Sequence, residues 1–195
     1  MRCLSPAEAS AIFGPSGFTV MSDDGYRSAL ALEPKLASRQ VRVAAEQPED
    51  FGRVAAFVRA VNRWLPSHRP RLLWVDHWDT GQFGGFETAM VSAAWRGLGE
   101  QRSLVEAPGL YLGGQDWDEQ DQTQVTAAQA ESLGLLVGVV AMMMITGSDG
   151  WLISEGGVDR VEFWEGNFFF HSGDAGQIAR ANEIVDEFRC VRWKS

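Results

Sequence analysis

At 195 residues the chain is long enough to bury one hydrophobic core without metal or disulfide staples, and it suits a single domain. Its net charge of −9 is unevenly spread, with 10 Lys/Arg against 7 Asp/Glu in residues 1–75 and 7 against 19 in residues 76–195. A net-acidic chain without a basic stripe is a poor partner for nucleic acid or an anionic membrane surface, and a reasonable one for a basic protein. The two cysteines, Cys3 and Cys190, form no CxxC or zinc-type spacing. They read as unrelated thiols in a reducing compartment, with a terminus-to-terminus disulfide as the other possibility. The start, MRCLSPAEAS, has no apolar signal segment, and the most apolar run, residues 133–145, falls short of the roughly 20 residues a bilayer span takes. A cytoplasmic protein with no cofactor is expected.

In chain order, Ser5-Pro6-Ala7-Glu8 opens a short helix: Ser5 caps, Pro6 suits the first helical position and Glu8 completes a capping box. Residues 18–21, 26–32 and 40–44 are strand candidates parted by a Ser-Asp-Asp-Gly turn and by Pro34, and they suggest an antiparallel sheet with one solvated face. Residues 48–65 form the clearest amphipathic helix, with Phe51, Val54, Ala55, Val58, Val61 and Leu65 at helical spacing. Arg53, Arg59 and Arg63 lie off that stripe and read as solvated. Residues 72–75 are a buried strand running into Asp76-His77-Trp78-Asp79. Two carboxylates flanking a His at a strand end suit metal binding or acid–base work, although polar residues at a strand exit are commonplace. The glycine-rich loop that follows, residues 80–85, lacks both GxGxxG spacing and a P-loop Lys.

Residues 86–95 read as a helix with Phe86, Ala89, Met90, Ala93 and Ala94 on its apolar side, and residues 110–112 as a short strand. Asp116, Trp117, Asp118, Glu119, Gln120 and Asp121 put four acids around a Trp. An EF-hand loop would need Gly and Glu where Asp121 and Ala127 stand, so calcium is disfavoured. Two readings remain: acids complementing the start of the next helix, or an acidic recognition patch. From about residue 122 to 145 a helix is expected, polar at first and nearly all apolar later, with a switch to a central strand after Gly134 as the alternative. Gly134 and Gly138, four apart, suggest close approach of another element. A last helix, capped by Asp174, carries Ile178, Ala181, Ile184, Val185 and Phe188 on one stripe.

The organising stretch is residues 146–172. Residues 151–153, 158–164 and 168–170 are aromatic- and β-branched-rich strands, separated by turns at Glu155-Gly156-Gly157 and Glu165-Gly166-Asn167. A two-residue turn at Glu165-Gly166 pairs Trp164 with Asn167, Phe163 with Phe168 and Val161 with Phe170. Val161, Phe163, Phe168 and Phe170 then share a buried face, and Arg160, Glu162, Trp164, Phe169 and His171 share the other. That mixed face is either covered by another element or a contact surface. The expected architecture is α+β: antiparallel sheet with a C-terminal β-meander against helices, in one domain.

No GxSxG elbow is present and the only histidines are His68, His77 and His171. Glu162 and His171, if they meet across the meander, form the best acid–base pair the sequence offers. The runs SDGWLIS and VDRVEFWEGNFFFHS resemble the C-terminal meander of immunity proteins that protect bacteria from their own secreted toxins, including type VI effectors. Those families carry a GWL segment, then D-x-(V/I)-E-x-W-x-G and aromatic residues. The resemblance covers about the last quarter of the chain, and it implies stoichiometric capture of a cognate toxin, usually occluding its active site. Trp residues flanked by acids suit such a surface, so the expected contact residues are Asp116, Trp117, Asp118, Glu119 and Asp121, then Asp76, Trp78 and Asp79, and Glu162 with Trp164. The competing expectation is a small enzyme, or a ligand- or metal-binding protein, using Asp76, His77 and His171.

Overall fold

The computed structural model describes residues 1–23, 27–48, 51–66, 69–76, 86–113, 127–146 and 148–193. Its centre is a seven-stranded antiparallel sheet built from β1 (Arg2–Leu4), β4 (Val41–Glu46), β5 (Arg71–Val75), β6 (Gly109–Leu112), β7 (Gly150–Ser154), β8 (Arg160–Trp164) and β9 (Asn167–Ser172). The spatial order is β1-β6-β5-β7-β8-β9-β4. Strands β2 (Phe18–Asp23) and β3 (Arg27–Leu32) form a separate hairpin. Helices α1 (Pro6–Phe13), α2 (Pro34–Ala37), α3 (Phe51–Trp64), α4 (Phe86–Gly97), α5 (Ala127–Thr146) and α6 (Ala175–Glu187) complete the α+β domain. No helix among the described residues is long and apolar enough to cross a membrane.

The meander forms as its turn chemistry dictates. Glu165 and Gly166 both adopt positive φ, 49° and 78°, the combination a two-residue turn needs to match strand twist. Trp164 therefore faces Asn167, Phe163 faces Phe168 and Val161 faces Phe170. Alternation then sorts the sheet into two faces. On one, Val161, Phe163, Phe168 and Phe170 join Leu73 and Leu152 beneath α3, α5 and α6 in the larger core. Phe57 of α3 meets Phe168 edge-on at 4.5 Å between centroids, and Trp64 meets Phe170 at 5.2 Å. On the opposite face, Leu72, Trp74 and Ile153 are covered by Phe13 of α1 and by Phe18, Leu30 and Leu32 of the hairpin. Among the described residues this cover reaches β1, β5, β6 and β7.

Several local expectations are corrected. β4 leaves the hairpin strands and pairs with β9, because α2 follows Pro34 and redirects the chain. α5 is helical through Thr146, so the alternative of a strand after Gly134 does not hold. Gly134 and Gly138 face solvent with open space around them; the glycine at a close approach is Gly150, where a Cβ would lie 2.3 Å from the Trp74 carbonyl oxygen. α4 buries Val91 and Trp95 and leaves Ala89, Met90 and Ala93 outward. The indole sets that rotation, donating from Nε1 to the Ala107 carbonyl at 2.6 Å. α3 exposes Ala55 and buries Phe57 and Trp64. Arg53 is not simply solvated: it donates to the Glu187 carbonyl at 2.8 Å and lies over Phe188, holding the end of α6.

Other polar groups serve the frame. Ser5 and Glu8 form the capping box of α1, and Glu8 also joins Glu100 in gripping Arg102 at 2.9 and 2.7 Å. Arg71, fully buried at the head of β5, donates to Asn62 and to the Leu65 carbonyl at 3.2 Å, placing a cation at the C-terminal end of α3 where the helix dipole favours it. Cys3 and Cys190 are free and buried, and burial pushes both thiols up to about 11.

Candidate functional site

Beyond β7 the described helices and hairpin no longer cover the second face of the sheet. There β8, β9 and β4 present Arg160, Glu162 and Trp164, then Phe169 and His171, then Arg42. Trp164 is 42% exposed, and Trp193, beyond the end of α6, is 43% exposed, values that leave large aromatic surface to solvent. Among the described residues, the only group laid over β9 and β4 on this side is the tail carrying Trp193. Its backbone N–H donates to the Ala44 carbonyl at 3.2 Å, and its indole donates to Asn167 Oδ1 at 3.0 Å. Trp193 meets Phe169 edge-on at 5.6 Å and Trp164 at 6.4 Å. Arg42 lies 4.9 Å over the other reach of the Phe169 ring. Phe169 is thereby buried, while the two Trp rings flanking it remain reachable.

At the seam between covered and uncovered halves lies a solvent-open cleft of about 270 Å³. Three carboxyl groups line it, Asp76, Asp149 and Glu162, together with Arg42 and the rings of Phe163, Trp164 and Phe169. Asp76 directly follows β5 and accepts the Trp151 indole N–H at Oδ2, 3.0 Å away. Its other oxygen, Oδ1, is buried without a hydrogen-bond partner among the described residues. Burial pushes the Asp76 carboxyl up to about 8; the charges of Asp149 and Glu162 add to the rise, against the pull of the Trp151 N–H and the Leu30 backbone. Asp76 is therefore largely protonated at neutral pH. Asp149 accepts the Glu165 backbone N–H at 3.1 Å, tying the cleft wall to the β8–β9 turn.

Glu162 and His171 do meet across the strands, with His171 Nε2 2.9 Å from Glu162 Oε2. Burial lowers the His171 pKa below its usual value, opposed by the bond to Glu162. The neutral ring thus carries its proton on Nε2 and donates it to the carboxylate. Trp151 stands between this pair and Asp76, its ring 6.2 Å from that of His171 and 5.3 Å below the Arg160 guanidinium.

Of the residues singled out by sequence, Asp76, Glu162 and Trp164 come together at one cleft, and His171 joins them through Glu162. His77, Trp78 and Asp79, and the acidic stretch of Asp116, Trp117, Asp118, Glu119 and Asp121, lie outside the described residues. Sequence reading missed Arg42, Asp149 and Trp193. Asp149 lies in the short connection before β7, which no motif marks, and Trp193 reaches β4 through a backbone bridge that no local pattern announces. Among the described residues no group of three His, Cys, Asp or Glu side chains is arranged to hold a metal ion. Compared with protein-family models, curated proteins and solved structures, the chain matches none.

Proposed function

We propose that this chain is an immunity protein: a cytoplasmic inhibitor that captures a cognate bacterial toxin one-to-one and shields its active site. The observation that carries the reading is the half of the sheet that no described helix or hairpin covers, where Trp164 and Trp193 stand exposed on an antiparallel frame beside an acid-lined cleft. Trp anchors backed by fixed strands suit tight capture, since such side chains concentrate interface energy and lose little freedom on binding. The net charge of −9 supports a basic partner by steering encounter, and it disfavours nucleic acid. The resemblance of SDGWLIS and VDRVEFWEGNFFFHS to immunity meanders supports the toxin as that partner. The test is protection: co-expression with the product of the gene beside its own should relieve growth arrest caused by that product, and unrelieved arrest would overturn the reading.

One observation favours a second reading, that of a small-ligand protein or enzyme. A buried carboxyl held near neutrality in a cleft, as Asp76 is, is characteristic of functional acids. Native mass spectrometry of the purified chain separates the two, since this reading requires a retained metabolite or ion and the capture reading requires none.

A further inference from the structure

We propose that the cleft bounded by Asp76, Glu162 and Trp164 is a receptor for an arginine side chain of the captured protein. The inference rests on the capture reading for its partner, and on the cleft alone for its chemistry.

Size comes first. At about 270 Å³ the cleft lies below the roughly 300–1,000 Å³ of sites that enclose a small molecule, and suits one long side chain entering from solvent. Charge favours a cation: Asp149 and Glu162 line the walls against one guanidinium, Arg42, which already lies over Phe169, and Asp76 becomes a third carboxylate once it gives up its proton. The surroundings select arginine over lysine. Two resident guanidinium groups on this face, Arg42 and Arg160, already stack on aromatic rings at 4.9 and 5.3 Å. Trp164 offers a further ring at the cleft edge, and a planar fork engages ring and carboxylate together where an ammonium does not.

Capture and protonation are then coupled. Free Asp76 holds its proton with a pKa of about 8. A bound guanidinium favours the carboxylate, so binding expels that proton and strengthens as pH rises. Among the described residues the charged neighbours are Asp149 at the head of β7, Glu162 on β8 and Arg42 on β4, with His171 and Arg160 beyond Trp151, and the hairpin contributes the Leu30 backbone.

Nα-acetyl-arginine methylamide is the probe, followed by the ¹H–¹⁵N signals of the Trp151 and Trp164 indoles. A saturable shift of both is expected, with a Kd on the order of millimolar for so small a ligand. Affinity should climb by up to about tenfold per pH unit between pH 6 and 8. The neutral isostere, Nα-acetyl-citrulline methylamide, should produce no saturable shift. Asp76→Asn should weaken binding at pH 8 by at least about tenfold, as expected for losing a charge-assisted contact. Should that variant fail to fold, the more exposed Glu162→Gln should weaken it in the same direction. Absence of a saturable shift, an equal response to citrulline, or full binding by the folded variants would overturn the assignment. Trp193 does not line the cleft, which keeps the two claims separable. Loss of arginine binding with Trp193-dependent toxin capture intact removes only this inference; arginine binding without any toxin capture removes only the capture reading.

Discussion

The Trp151 indole donates to Asp76 across 3.0 Å, joining the end of one central strand to its neighbour at the point where the covered half of the sheet gives way to the open half. Burial there, and not this bond, leaves the carboxyl poorly solvated. Asp76 accordingly binds its proton more tightly in the folded chain, at about 8, than at the ordinary 3.8. Between those values the native state holds the extra proton, so the group's contribution to stability falls as pH rises; below the window both states are protonated and the contribution is flat. Asp76→Asn keeps an acceptor for Trp151 and removes the titration. Urea denaturation at pH 5, 6.5 and 8 should show the stability difference moving in the variant's favour by up to ~1.4 kcal/mol per pH unit. Parallel pH profiles for variant and parent would contradict this account of the site.

The His171–Glu162 pair makes the opposite prediction. Burial disfavours imidazolium, so the ring should titrate below its usual 6.5 in an NMR pH series. Its neutral form is the one the fold favours, and the pair's contribution is lost as acid protonates the ring. Because the bond to Glu162 raises the pKa against that burial, Glu162→Gln should move the His171 midpoint lower still. A midpoint that rises in the variant would show that the bond is not made in solution.

Gly150 lets α5 rest on the sheet. A Cβ there would lie 2.3 Å from the Trp74 carbonyl oxygen and 2.5 Å from Met143 Cε, and the first of these is backbone that cannot swing aside. Gly150→Ala should destabilise by about 1–3 kcal/mol in chemical denaturation, whereas Gly134→Ala on the open face of α5 should be neutral or stabilising. Equal effects at the two positions would refute the packing described for this helix.

Glu165 is one of two non-glycine residues among those described that hold positive φ. Asn tolerates that conformation better, and Asn-Gly is the favoured pair for this turn. Glu165→Asn should therefore raise stability by about 0.5–1 kcal/mol while leaving the backbone N–H free to bond Asp149. A lower melting temperature in calorimetry would mean that the Glu165 side chain has a role the turn geometry does not reveal.

These relationships were unequally legible in the sequence. The meander is readable because strand period and turn chemistry agree there: once Glu165-Gly166 is taken as a two-residue turn, the register of Phe163 with Phe168 and the facing of Glu162 toward His171 both follow. The exposed Trp164 follows from the same register. Asp76 is legible as a strand-end acid, but its raised pKa comes from burial, reinforced by the charges of Asp149 and Glu162, which are distant in sequence. The α4 face is misread because counting small apolar residues gives Ala89 and Ala93 the weight that one buried Trp95 actually carries. Burial of Arg71 has no signal in the strand itself, because its partner is the end of α3. Trp193 enters the site through pairing of Ala45 with Arg192, a contact across the whole chain.

Titration calorimetry of the chain against the product of the gene beside its own is the most direct test of the capture reading. The account predicts a one-to-one complex with nanomolar affinity. Trp193→Ala should weaken it by about 30-fold, the equivalent of the ~2 kcal/mol expected for an interface anchor. No measurable complex, or a complex whose affinity ignores the loss of Trp193, would contradict it.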